Sequence, residues 1–130
     1  MQENPQYENI IDDILSFFVQ RIKSCEQKGI EKSRLILDPG FGFGKTLEHN
    51  YQMLAQFSLF KKLNLSLLSG TSRKSMLGHL LNRDVDQRLA GSLTTAIVAV
   101  QQGASIIRVH DVAETVDAIK ILTAVAQYKV

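Results

Sequence analysis

The sequence predicts an α/β fold with three parallel strands, in the element order α-β-α-β-α-α-β-α. Three observations carry this prediction. Short, almost wholly apolar runs at SRLILD (33–38), LSLLSG (65–70) and SIIRV (105–109) alternate with longer helical patterns. That alternation means parallel strands joined by right-handed crossovers, buried on both faces. Each apolar run also ends in a polar cluster, where folds of this class gather ligands.

The elements follow in order. Asn4 is a candidate N-cap with Pro5 at the first helical position. Ile10, Ile14, Phe17, Phe18 and Ile22 share one helical face, and Gly29 is a plausible stop. Cys25 sits among the apolar positions of this helix and reads as a buried structural thiol. After the first strand and Pro39-Gly40, Thr46 can cap a second helix that carries Leu47, Tyr51, Leu54 and Ala55 inward. SRKSMLGHLL (72–81) reads as a short helix entered directly from the loop, with Gly78 a weak point. Asp84 with Gln87, and Asp111 with Glu114, have capping-box spacing ahead of the last two helices. Gly103 ends the first of these. His49 and His79 lie on helices and read as surface residues.

The chain has 130 residues, 45% of them apolar and 22% charged, which suits a single domain over 1–130. A formal net charge of +2, with scattered Lys and Arg, argues against a nucleic-acid surface. One cysteine excludes an internal disulfide. No apolar run reaches the ~18 residues of a membrane span. The opening MQENPQYENI lacks the pattern of a secretion signal, so the expected location is cytoplasmic. Three parallel strands cannot close a barrel, since a complete (β/α)8 barrel takes ~250 residues. The first helix is also preceded by no strand, which favours part of a larger fold.

The stretch LDPGFGFGKT (37–46) invites comparison with a phosphate-binding loop. In that motif a glycine should stand six residues before Lys45, but Pro39 stands there and has no N–H to offer. Asp38 would also repel a triphosphate. Two readings of Asp38 remain open: an acceptor for the N–H edge of a planar heterocycle, or a turn residue at a strand end. Under the first, Phe41 or Phe43 supplies an apolar wall, and the glycines, Gly42 among them, admit close backbone approach. In GTSRKS (70–75), Gly70 leads into Ser72, Arg73, Lys74 and Ser75 at a helix start that favours anions. In RVHD (108–111), strand alternation puts Arg108 and His110 on one face, an arrangement suited to an anion. Neither an H-x-x-x-H nor a C-x-x-C is present, so no protein metal site is expected.

LDPGFGFGK, SRKSM and RVHDV, in this order and at these separations, closely resemble the bacterial dihydropteroate synthase family. The resemblance runs essentially from Met1 to Val130 and covers the C-terminal half of that family's TIM barrel: helix 5, then strands 6 to 8 with their helices. It implies a folate-pathway transferase joining hydroxymethyl-dihydropterin diphosphate to p-aminobenzoate, with release of pyrophosphate. By motif position, Asp38 would bind the pterin edge, and Lys74 would hydrogen-bond the pterin and border the aminobenzoate. Arg108 and His110 would hold the diphosphate. Phe43, Arg73 and Ser75 would help line the aminobenzoate or sulfonamide pocket. Lys74, Arg108 and His110 are thus the implied catalytic set, with Gly42, Gly70 and Ser72 among the implied substrate contacts. Mg2+ would arrive with the diphosphate, its protein ligand lying in the family's first half.

The family's first-half loops are absent, so little or no turnover is expected of this chain on its own. A homodimer through the helices after strands 6 to 8 is also implied, with Ala90, Gly91, Ala96 and Ala99 permitting close approach. A non-catalytic assembly module is the alternative. A methyltetrahydrofolate methyltransferase domain shares the aspartate logic but has no need of a diphosphate clamp.

Overall fold

The computed structural model describes residues 9–129. Within them run α1 (Ile10–Gln27), β1 (Ile36–Leu37), α2 (Leu47–Ala55), β2 (Ser66–Ser69), α3 (Ser75–Leu81), α4 (Leu89–Gln101), β3 (Ile106–Ile107) and α5 (Val112–Ala126). Short 3-10 turns occupy Lys32–Arg34, Phe57–Leu63 and Val85–Gln87. The element order is the expected one, and the sheet runs β1-β2-β3 with both pairings parallel.

The strands are shorter than their apolar runs. SRLILD loses Ser33 and Arg34 to a 3-10 turn, and β3 ends before Arg108. The ladder still extends past β3, because the Arg108 N–H donates to the Ser69 carbonyl at 3.0 Å. Register pairs Ile36 with Ser66 and Leu68 with Ile106 on one face of the sheet, and Leu37 with Leu67 on the other. Leu37 and Leu67 are buried under the helices with Phe18, Ile22, Met53, Phe57, Phe60 and Ala99. The opposite face is more open: Ile36 is 54% exposed, and Leu68 and Ile106 are half-buried. Burial on both faces, expected from the apolar strands, is therefore met on one side only within the described residues.

Several local expectations change. The proposed Asn4–Pro5 start lies outside the described residues; within them Asn9 is the N-cap of α1, accepting from the Asp12 N–H at 3.2 Å. Phe17 is 58% exposed because Ile10, Ile11, Phe18 and Ile22 take the inward stripe and leave Phe17 on its flank. Cys25 is half-buried. Thr46 does cap α2, accepting from the His49 N–H at 3.0 Å. The helix is rotated from its expected face, however: His49, Asn50, Met53 and Leu54 are inward, while Leu47 and Ala55 are exposed and Tyr51 is half-buried. Asn50 holds the glycine loop, and that bond turns a polar edge of α2 inward. His49 is thus a buried residue, whereas His79 is exposed as expected.

Only Ser75 of the SRKS stretch is helical; residues 72–74 form a turn closed by the Lys74 N–H on the Thr71 carbonyl at 3.1 Å. Neither capping box forms. Asp84 heads a 3-10 turn without a side-chain cap bond. Asp111 heads α5, but its carboxylate is taken by Arg73. Ala96 and Ala99 are buried inside the chain, so they are not the surface for a partner helix. Gly103, at φ +109°, does follow the end of α4.

Candidate functional site

Asp38, Gly70 and Arg108 each follow a strand and continue its more open face, so strand alternation delivers them to one ridge. Arg108 Nη1 donates to Asp38 Oδ2 at 3.1 Å, and Asp38 Oδ1 accepts the Gly40 N–H at 2.9 Å. Both residues remain open to solvent. Gly70 lies beneath the guanidinium. A Cβ there would stand 2.6 Å from Arg108 Nη2, so the glycine makes room for the arginine.

The loop after β1 has positive φ at Gly40, Gly42, Phe43 and Gly44. Besides the Gly40 N–H bond to Asp38 and the Lys45 N–H bond to the Gly42 carbonyl, three bonds to the side chains of Asn50, Lys45 and Lys74 hold this unusual path. The Gly42 N–H donates to Asn50 Oδ1 at 2.8 Å, Lys45 Nζ to the Gly40 carbonyl at 2.6 Å, and Lys74 Nζ to the Phe41 carbonyl at 2.8 Å. Of the two candidate apolar walls, Phe41 belongs to the core, stacked on Phe57 with ring centres 6.2 Å apart. Phe43 stands in solvent at 81% exposure, its ring 5.2 Å from Lys74 Nζ. Partial burial lowers the Lys74 pKa; Arg108 and Lys45 lower it further, and Asp38 opposes them. Burial likewise lowers Lys45, with Asp38 pulling the other way.

Across the ridge, Ser72 Oγ sits 2.8 Å from His110 Nδ1 and accepts the His110 backbone N–H at 3.2 Å. In the neutral imidazole with Ser72 donating to Nδ1, the ring proton lies on Nε2. Arg73 forms a two-point pair with Asp111, Nη2 to Oδ1 at 2.9 Å and Nε to Oδ2 at 3.4 Å. Gly70, Ser72, Lys74, Arg108, Val109 and His110 line one cavity of about 130 Å³. Asp38 and Lys45 border another of about 280 Å³ beside α1. A larger groove, about 710 Å³, runs along α5 and is mainly apolar; it shares only Arg108 and Val109 with the site cavity, so size does not locate the chemistry.

The structure therefore brings Asp38, Gly70, Ser72, Lys74, Arg108 and His110 together, with Phe43 and Gly42 on the adjoining loop. Arg73 is turned onto Asp111, and Ser75 is exposed at the start of α3. Sequence reasoning passed over Lys45, Asn50 and Asp111. Lys45 had a visible signal, its place directly after the glycines; Asn50 and Asp111 act through contacts that no local pattern shows. Among the described residues, no three His, Cys, Asp or Glu side chains converge to hold a metal ion. Asp38 is paired with the cation Arg108 and no other acidic side chains converge with it on a common point, so the described residues do not make a Mg2+ site. No helix among them is long and apolar enough to cross a membrane.

Residues 1–110 match the profile of a family described as pterin binding enzyme. The chain is 52% identical over 129 residues to dihydropteroate synthase of Escherichia coli K12, covering 99% of this chain and 46% of that protein. It superposes with a TM-score of 0.93 on Yersinia pestis dihydropteroate synthase bound to a pterine-sulfa conjugate, at 51% identity, covering 99% of this chain and 51% of that one. The Xanthomonas albilineans enzyme in complex with 7,8-dihydropteroate gives a TM-score of 0.93 at 42% identity, over 96% of this chain and 49% of that one. The chain thus spans about half the length of the relatives it matches. Its three parallel strands and their helices match part of those barrel structures.

Proposed function

Because the chain belongs to the pterin-binding enzyme family, and is homologous to dihydropteroate synthase over about half that protein's length, we propose that it carries the pterin-edge and diphosphate half of a dihydropteroate synthase site. The observation that carries this reading is the Asp38–Arg108 pair at 3.1 Å, flanked by Lys74 and His110 on one ridge. Asp38 uses one lone pair toward Gly40 and one toward Arg108, and a carboxylate offers about four, so it can still accept two N–H groups from a pterin edge. Lys74 donates toward the same ring. Arg108, with five donors, leaves Asp38 in part to grip the diphosphate beside His110 Nε2–H.

In the proposed reaction the C–O bond between the pterin methylene and the diphosphate breaks, and its electron pair leaves with pyrophosphate. The amine lone pair of p-aminobenzoate forms the new C–N bond, and the nitrogen then gives up a proton. Cations held beside the leaving group stabilise the negative charge that develops there. Phe43, Arg73 and Ser75 border the approach of the aminobenzoate, where sulfonamides would compete. Mg2+ has no cradle among these side chains, and no step is routed through it.

Calorimetric titration with hydroxymethylpterin diphosphate tests the reading. Asp38→Asn weakens pterin binding, and Arg108→Ala and Lys74→Ala nearly abolish turnover in any longer chain that contains this segment. Unchanged binding and kinetics in all three overturn the assignment. Exposed Ile121, Val125 and Tyr128 on and after α5 favour a second reading, self-association through this helix. A stable monomer at micromolar concentration by light scattering counts against it.

A further inference from the structure

Arg73 is a non-glycine residue at φ +58°, a left-handed conformation that L side chains adopt only when their surroundings impose it. Its surroundings are specific. The Arg73 N–H donates to Ser92 Oγ at 3.0 Å, and its carbonyl accepts from Arg88 Nη1 at 2.8 Å. Both backbone polar groups of one residue are thus pinned from the start of α4. Two residues upstream, Thr71 Oγ1 lies 2.6 Å from Thr95 Oγ1, which itself donates to the Gly91 carbonyl at 2.9 Å. Since Thr95 has only one proton to give, Thr71 is the donor in that pair. Arg88, Ser92 and Thr95 follow the i, i+4, i+7 spacing of one helical face, and all three grip the 71–74 turn.

Gly78 completes the arrangement. It is buried in α3, where alanine would be the better helix former. Any Cβ there would overlap the Arg88 guanidinium, whose Nε also donates to the Arg83 carbonyl at 3.0 Å. The glycine keeps open the slot by which Arg88 reaches the turn.

We infer that Arg88 and Ser92 are positioning residues that hold the Arg73 peptide left-handed and so aim Lys74 at the pterin ridge, with Gly78 present to admit Arg88. The functional half of this inference rests on the pterin reading above. The structural half stands on the turn alone. A left-handed Arg73 directs the chain so that Lys74 Nζ reaches the Phe41 carbonyl and the Arg73 side chain reaches Asp111. If residue 73 relaxes to an ordinary conformation, the following residue swings away from both.

The test is a double-mutant cycle between Gly78→Ala and Arg88→Ala, reading hydroxymethylpterin diphosphate affinity beside the melting temperature. Each single variant is expected to lose tenfold or more in affinity, with Gly78→Ala melting no lower than the parent. The double variant is expected to bind no worse than Arg88→Ala, because the three atoms nearest the added methyl all belong to the Arg88 guanidinium that is then gone. Arg88→Lys, which keeps a donor, recovers part of the loss. Parent-like affinity in Arg88→Ala, or losses that multiply in the double variant, overturns the inference. If the parent chain binds no pterin, the functional reading fails by itself, and a crystal structure of Gly78→Ala decides the clamp. Arg73 leaving positive φ supports it; Arg73 unmoved refutes it.

Discussion

Replacing Gly70 by alanine separates the ligand grip of Arg108 from the stability of the fold. Gly70 does not occupy the positive-φ region, so alanine meets no backbone strain there. On conformational grounds the change would stabilise the chain by about 0.4–1 kcal/mol through the unfolded state. What the new methyl does meet is the Arg108 guanidinium, with Nη2 at 2.6 Å, Cζ at 3.0 Å and Nε at 3.1 Å. A flexible side chain yields more cheaply than a backbone, so Arg108 moves and the fold persists. Losing an exposed pair such as Arg108–Asp38 costs ~0.2–1 kcal/mol, which roughly cancels the entropic gain. The ligand loses more, because a hydrogen bond to a charged group contributes about 1.5–3 kcal/mol. At 1.4 kcal/mol per decade, that is roughly a ten- to hundredfold loss in affinity. Calorimetric titration of the diphosphate ligand, paired with a thermal melt, reads both quantities. A Gly70→Ala variant that binds as the parent does, while Arg108→Ala does not, would refute the claim that Gly70 makes room for the arginine.

Two further predictions concern the lysines and the core. The Lys74 pKa is lowered from 10.5, mainly by burial, so the unfolded chain holds this proton more tightly than the folded one. Stability should therefore rise with pH between the lowered folded value and 10.5, and Lys74→Met should flatten that rise when urea midpoints of parent and variant are compared. A parallel pH profile in the two proteins would remove Lys74 as its source. Phe57 is fully buried between Phe41 and Phe60, so Phe57→Ala should cost about 3–5 kcal/mol in chemical denaturation, and a loss below about 1 kcal/mol would deny it a central place in the core.

The parallel sheet was legible because LIL, LSLL and SII are apolar runs too short for helices and bounded by turn residues. The polar residues that end those runs do meet on one ridge, where strand alternation together with the parallel register puts Asp38 and Arg108 on a common face. What stayed hidden depends on partners distant in sequence. Asp111 looked like a helix cap, but Arg73, 38 residues away, takes its carboxylate. His49 looked like a surface residue, but the glycine loop, held by Asn50, draws that edge of α2 inward. Ala96 and Ala99 suited a partner helix equally well and instead pack inside the chain. Gly78 looked like a defect in a short helix; only the position of Arg88 gives it a purpose.

The central claim is that Asp38, Lys74, Arg108 and His110 form one half of a pterin diphosphate site. A crystal structure with 6-hydroxymethylpterin and pyrophosphate tests it most directly. The account predicts the 2-amino edge of the pterin on the Asp38 carboxylate, with pyrophosphate between the Arg108 guanidinium and His110 Nε2. Pyrophosphate bound at the glycine loop through Lys45, with Arg108 still closed on Asp38, would contradict it.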